Sequence, residues 1–337
     1  MDRPSSYWNR ALTFVKQNRF LTFVITVGAV VVAIVVRDLF AVFVRGYAWK
    51  PGTGFTGQTL WEWMQLLIIP AVLAFGAYLF SRYERENDRK IAEDRQREVA
   101  LQTYLDRMTE LLLDGELRKS GEDSEVRAVA RARTLTVLRL LDGERKGALI
   151  RFLQESNLID VEKNVIDLKG ADLRRADLRG AFLKQTCLRG ADLTEANLCS
   201  ARLEKADLSE ADLSRVRLRS ANLVGANLGN SGLVEADLSR ALLSGANLRE
   251  SDLIKANLRW SIMASIWMHD YDSDGPDIEL DTDLAWADLR GADLSMAEIS
   301  RVNFAKANLH DAIVNKEQLS KVSSLKGAIM PDGTVHE

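Results

Sequence analysis

Cysteine and histidine are scarce: 337 residues hold only Cys187, Cys199, His269, His310 and His336. Two thiols exclude a disulfide framework, and without a His/Cys cluster there is no zinc ligand set, a usage that fits a reducing compartment. An excess of basic charge is also missing, with 45 Lys and Arg against 48 Asp and Glu, a formal net charge of -3 and no basic stripe. That balance argues against nucleic acid as a partner. Nor is there a Ser-His-Asp order, a phosphate-binding Gly loop or a carboxylate pair standing apart. No catalytic, cofactor-binding or metal-binding residue is assigned, and the chain reads as a non-enzyme.

What is abundant is Leu at a fixed interval. From Leu168 to Met263 every fifth residue is a centre, 19 of the 20 are Leu, and 14 of the residues two places earlier are Ala. A second block has centres Leu284, Leu289, Leu294, Ile299, Phe304, Leu309 and Val314. Five residues of helix rotate a side chain by about 500°, so a helix cannot keep these Leu residues on one face. In a strand the same step moves Leu to the opposite face. Only a chain that turns a corner once per repeat can return Ala and Leu to a shared axis, which is a solenoid. The residue before the centre is often Asp or Asn, as at Asp172, Asp177, Asn197 and Asn222. Short polar side chains there can bond the backbone of a tight turn, so their regularity is structural. The remaining two positions vary among Arg, Lys, Glu, Ser and Gly, and a partner must read those.

This Ala-Asp/Asn-Leu-x-x pattern, over about 27 repeats, closely resembles the pentapeptide-repeat family. The resemblance implies a right-handed, four-sided β-helix. Four repeats per coil and about 4.8 Å between stacked strands give roughly seven coils and a rod of about 33 Å. Its open ends need caps, which the flanking sequences can supply. The family includes bacterial proteins that protect DNA gyrase from quinolones through an acidic, DNA-like rod surface. Here residues 166–315 hold 18 basic against 24 acidic residues, and seven of the acids lie in one insertion; without it the coils hold 18 against 17. A near-neutral rod is a poor DNA mimic.

The N-terminal part differs in kind. Phe20 to Val36 is a 17-residue run without a charge, and Leu60 to Phe80 is apolar apart from Glu62, with Trp61, Trp63 and Tyr78 placed as an aromatic belt. Both predict transmembrane helices, Pro70 being tolerable in the second. Basic residues at Arg3, Arg10, Lys16 and Arg19 and at Arg82, Arg85, Arg89 and Lys90 flank the pair. The loop between holds Arg37, Arg45 and Lys50, so a modest positive-inside bias puts both termini in the cytoplasm. Ser81 to Glu98 carries six basic and six acidic residues, with i,i+4 pairs Glu86/Lys90 and Glu93/Arg97, and predicts a solvated continuation of the helix. Leu101, Leu105, Met108 and Leu112 form a 3-4 stripe ending at Asp114-Gly115, and further helices are predicted over about Asp123 to Leu141 and Glu144 to Glu155. Together they form a collar whose last helix could plug the rod. Packing within the chain is preferred over a coiled-coil homo-oligomer through the first stripe, which only about two heptads support.

The register breaks once, between Met263 and Leu284, so Ala264 to Asp283 must bulge out or form an irregular side. Asp270, Asp272, Asp274 and Gly275 match the start of a calcium loop, with Asp281 where the bidentate acid would fall. Asp277, Pro276 and the lack of flanking helices favour a solvated acidic loop instead. The whole reads as a mixed fold: 1–19 an N-terminal segment, 20–80 two spans, 81–160 a helical collar, 161–315 the β-helix with its 264–283 insertion, and 316–337 a cap or tail. The expected role is a non-enzymatic scaffold in a bacterial inner membrane, presenting the rod to a cytoplasmic protein. Topoisomerase protection and a small oligomeric sensor or channel are the alternatives.

Overall fold

The computed structural model describes residues 60–113, 116–121, 124–159, 165–268 and 278–337. The first apolar run, Phe20 to Val36, lies outside them. The chain divides into two units, Met1–Ser81 and Arg82–Glu337.

Helix α1, Leu60–Leu113, runs unbroken through Pro70. Among the described residues no helix is long and apolar enough to cross a membrane. The side chains described in the apolar run begin at Pro70, and charge sets in at Arg82. Both predicted i,i+4 pairs form, Lys90–Glu86 at 3.3 Å and Arg97–Glu93 at 3.6 Å, on exposed surface. Past Ala100 the helix acquires a buried stripe of Leu101, Tyr104 and Met108, with Leu105 and Leu112 half-buried beside it. The stripe packs within the chain.

Three helices complete the collar: α2, Glu116–Lys119, α3, Glu125–Leu140, and α4, Gly143–Glu155. Ser124 caps α3 by accepting from the Arg127 amide, and Asp142 caps α4 by accepting from Arg145. Both caps satisfy amides that a helix start leaves open. Arg145 then ties α4 to α1 through Asp94 and Glu98, each at 2.9 Å. Inside, the Tyr104 hydroxyl bonds Thr134 at 2.8 Å, and burial raises its pKa to about 12.

The solenoid follows. Bridges link residues twenty apart, Asp172 to Asp192 to Asp212 and Asp177 to Asn197 to Arg217, all parallel, so four repeats make one coil. Every Leu centre is buried, and so is nearly every small residue two places earlier. Each side contributes only a single bridge per coil rather than a continuous strand, because the chain turns again after five residues. The centre's carbonyl accepts from the amide three residues on, as Leu173 does from Ala176 at 3.0 Å. Within that turn the residue two after the centre has positive φ, 57° at Arg175 and 62° at Gly180, the signature of a type II turn. Arg, Lys, Glu and Ser occupy most of these corners at a cost of about 1 kcal/mol each. Ladder bonds hold them there, as when the Arg175 amide donates to Thr194 at 2.9 Å.

Helix α4 closes the first coil. Leu149, Ile150 and Leu153 cover its apolar end, and Gly143 and Gly147 lie so close to the coil that a Cβ would sit 2.0 Å from the Arg175 carbonyl oxygen and 2.1 Å from that of Asp177. The coil edge has no neighbour below it, and the collar supplies substitutes. The Asp177 amide donates to Gly143, while Arg131, Lys146 and Gln154 donate to the carbonyls of Lys169, Arg174 and Phe182 at 2.8, 3.2 and 2.8 Å. A solenoid end is an unpaired sheet edge, and here side chains take the place of the missing coil.

At the other end α5, Lys316–Leu319, opens with a capping box on Asn315, and Gln318 donates to the Leu294 and Ala297 carbonyls. Beyond it Ser324 and Ile329 still pair with Asn303 and Asn308, and an antiparallel bridge from Ile329 to Val335 folds the terminus over the last coil.

Candidate interaction surface

The stacking sorts the exterior into four sides, each taken with the corner after it. Side A carries Asp167, Cys187, Asp207, Asn227, Asn247, Asp283 and Asn303; side B Asp172, Asp192, Asp212, Gly232, Asp252, Asp288 and Asn308. Side C carries Asp177, Asn197, Arg217, Asp237, Asn257, Asp293 and Ile313; side D Phe182, Arg202, Asn222, Leu242, Ile262 and Glu298.

The repeat's Asp and Asn residues are occupied by the backbone. Asp167, Asp207 and Asp288 accept from the amides of Lys169, Ser209 and Arg290, two residues on, at 2.8, 3.1 and 3.2 Å. On side A they also bond between coils, Asn227 donating to Asp207 at 3.1 Å and Asn247 to Asn227 at 2.9 Å. Such groups define turns and carry no free chemistry. Cys187 is half-buried, and burial pushes its thiol up, away from the reactive thiolate.

Charge is distributed unevenly around the rod. Over 166–315 without the 264–283 insertion, side A has four basic against four acidic residues and side B five against eight. Side C has five against three, and side D four against two. The near-neutral total conceals an acidic side B and a basic half made of C and D, a pattern that linear charge counting cannot resolve. Side B stacks the carboxylates of Asp172, Asp192 and Asp212 one coil apart. Asp172 is the special one: burial would raise its pKa, but hydrogen bonds from Arg174 and Lys146 outweigh this and hold it well below the carboxylate range. Its ion pair with the buried Lys146 of α4, at 2.7 Å, fastens the collar to the coil.

Exposed apolar residues are also uneven. Phe182 lies under the Arg202 guanidinium, 5.2 Å from ring centre to cation, and Trp286 under the Lys306 ammonium at 4.1 Å. Leu242, Trp260, Ile262 and Met296 have no such cover among the described residues, and are 37%, 52%, 44% and 61% exposed. They break the repeat's preference for polar residues outside, a signal present in the sequence but invisible until the sides are known.

The register break is a hairpin. Asn247 pairs with Asp283 and Ile262 with Glu298, thirty-six positions apart where twenty is the rule, so the coil resumes in phase. The inserted residues leave after Met263 as β1, Ile266–Met268, and return as the antiparallel β2, Ile278–Leu280, with Trp267 opposite Glu279. Thr282, in the position Ala usually takes, closes the gap: its hydroxyl lies 2.7 Å from the Met263 carbonyl and accepts from the Gly245 amide at 3.1 Å. The segment Asp270, Asp272, Asp274 and Gly275 lies outside the described residues. Asp281 is described and faces Arg301 at 3.5 Å. Among the described residues no group of His, Cys, Asp and Glu is arranged to hold a metal ion.

The family model for pentapeptide repeats matches in eight copies over residues 166–194, 191–230, 233–264 and 281–316. HetL, a pentapeptide repeat protein involved in heterocyst differentiation regulation from Nostoc sp. strain PCC 7120, is 32% identical over 51% of this chain and 79% of its own, with a TM-score of 0.39. Rfr23 from Cyanothece 51142 is 40% identical over 24% of this chain and 54% of its own, with a TM-score of 0.24. QnrB1, a plasmid-mediated fluoroquinolone resistance protein, is 16% identical over 50% of this chain and 78% of its own, with a TM-score of 0.38. No protein of curated function matches the chain.

Proposed function

The chain belongs to the pentapeptide-repeat family, whose fold is a right-handed β-helix, and from that premise we propose that it is a non-enzymatic scaffold, anchored in a membrane and presenting its rod to a protein partner. The observation that carries this reading is the occupation of the repeat carboxylates by turn amides, which leaves the rod surfaces rather than a reactive centre. With both ends of the solenoid capped, a partner would dock on a side of the rod. The anchor is supported by the two apolar runs and by α1, where Val72, Leu73, Phe75 and Phe80 are each more than half exposed. Exposed apolar side chains along that stretch suit lipid. The proposed site is a bacterial inner membrane, with both termini and the rod on the cytoplasmic side. Photo-crosslinkers on each of the four sides, in intact cells, test the scaffold: a discrete adduct from one side is expected, and no adduct from any side would overturn it. Accessibility labelling of introduced cysteines before and after the spans tests the anchor.

A second reading, topoisomerase protection, is favoured by one observation, the stacked carboxylates of side B. Gyrase supercoiling in the presence of a quinolone, with and without the protein, decides it. Restored supercoiling would replace the scaffold reading.

A further inference from the structure

We propose that the basic, partly apolar half of the rod, where sides C and D meet, docks an acidic amphipathic helix of a partner protein. The inference rests on the scaffold reading and names the surface and the chemistry it recognises. Trp260 stands at the corner between C and D. Its amide donates to Ser295, which puts Met296 one coil above it, and the Arg240 amide donates to Arg259, which puts Arg240 one coil below. Leu242 and Ile262 are bridged neighbours on side D, two residues past that corner. Four apolar side chains thus form one patch across three successive coils, spaced about 4.8 Å apart.

The cations beside it are uncommitted. Arg217, Arg219 and Arg240 are exposed, and among the described residues their side chains make no ion pair or hydrogen bond, whereas Arg175, Arg179, Arg189 and Arg290 are each held by a carboxylate. Unpaired guanidiniums next to bare Trp and aliphatic surface match a helix with Asp or Glu along one edge and Leu or Ile along the next. Nucleic acid fits less well: Asp237 sits directly over Arg217 and interrupts the basic column, and Leu242, Ile262 and Met296 offer phosphate nothing. A bilayer fits less well because Asp237 interrupts the basic column that anionic headgroups would need.

The test uses the full chain in detergent and fluorescence anisotropy of four labelled probes: a synthetic helix with Glu and Leu faces, the same helix with Lys for Glu, oligothymidine, and phosphatidylglycerol vesicles. The Glu helix should bind at least about tenfold more tightly than the Lys helix. R217E/R219E/R240E should reverse that order, and W260S/M296S should weaken the Glu helix about tenfold with an unchanged melting curve. Equal binding of the two helices, indifference to both variants, or binding of oligothymidine or vesicles in place of the Glu helix would overturn the proposal. A cellular adduct formed only from side A or B would remove this surface and leave the scaffold standing, so the two failures are distinct.

Discussion

The interior and the exterior of the rod are made by the same repeats under different rules. Inside, Leu213, Leu233 and Leu253 are interchangeable by position, fully buried and set by the period. Outside, the same repeats carry Asp212, Gly232 and Asp252, and one side over they carry Arg217, Asp237 and Asn257. The core tolerates almost no choice because every centre meets the same four-sided axis. The surface tolerates nearly any choice, so a departure from polarity there, as at Trp260 or Ile262, reports a role that packing does not require.

The sharpest way to break that contrast is to exchange the two environments. Leu213→Asp buries a carboxylate with no partner and should cost more than about 4 kcal/mol, with loss of cooperative unfolding, while Arg215→Ala at the corner should shift stability by less than about 0.5 kcal/mol. Circular dichroism melts of both variants decide it, and equal stabilities would refute the inward assignment. Next in size is the seam between collar and coil. Gly147→Val drives a side chain into the Asp177 carbonyl, so α4 must lift, at about 3 kcal/mol. Hydrogen exchange should rise at the Asp177 amide and leave the coils near Leu248 unchanged.

The same seam is sensitive to acid. The folded pKa of Asp172 is the depressed one, so its contribution is complete above its ordinary value of 3.8 and declines as pH falls below it. Asp172→Asn should cost about 2 kcal/mol at neutral pH, leaving Lys146 buried without its counter-charge. The gap between the two proteins in urea titrations should narrow below pH 3.8. The smallest effect compares two buried threonines at the same repeat position. Thr282 bonds three backbone groups, whereas the Thr186 hydroxyl has no partner among the described residues. Thr282→Ala should cost about 1–2 kcal/mol and Thr186→Ala close to nothing, since only the first loses satisfied bonds. A larger loss at Thr186 would show that the interior is less uniform than its burial implies.

Much of this molecule was legible residue by residue. The five-residue interval identified Leu168 through Val314 as inward and Asp172 or Asn197 as turn formers, because a period is a local property that survives without coordinates. The collar helices were readable from the spacing of their apolar residues. Arg217, Arg240, Trp260 and Met296 were not, since they lie up to 79 positions apart in the chain and share a surface only through stacking. The register break was visible as a spacing, yet Met263 and Leu284 alone could not distinguish a bulge from an irregular side. Ladder bonds made that choice, with Thr282 replacing an Ala to carry the chain back in phase.

Sequence alone therefore determined which side chains face the axis, because burial repeats at the chain's own interval. Only the tertiary structure decided which exterior residues become neighbours, because stacking joins positions twenty apart and converts a charge sum near zero into an acidic side and a basic one.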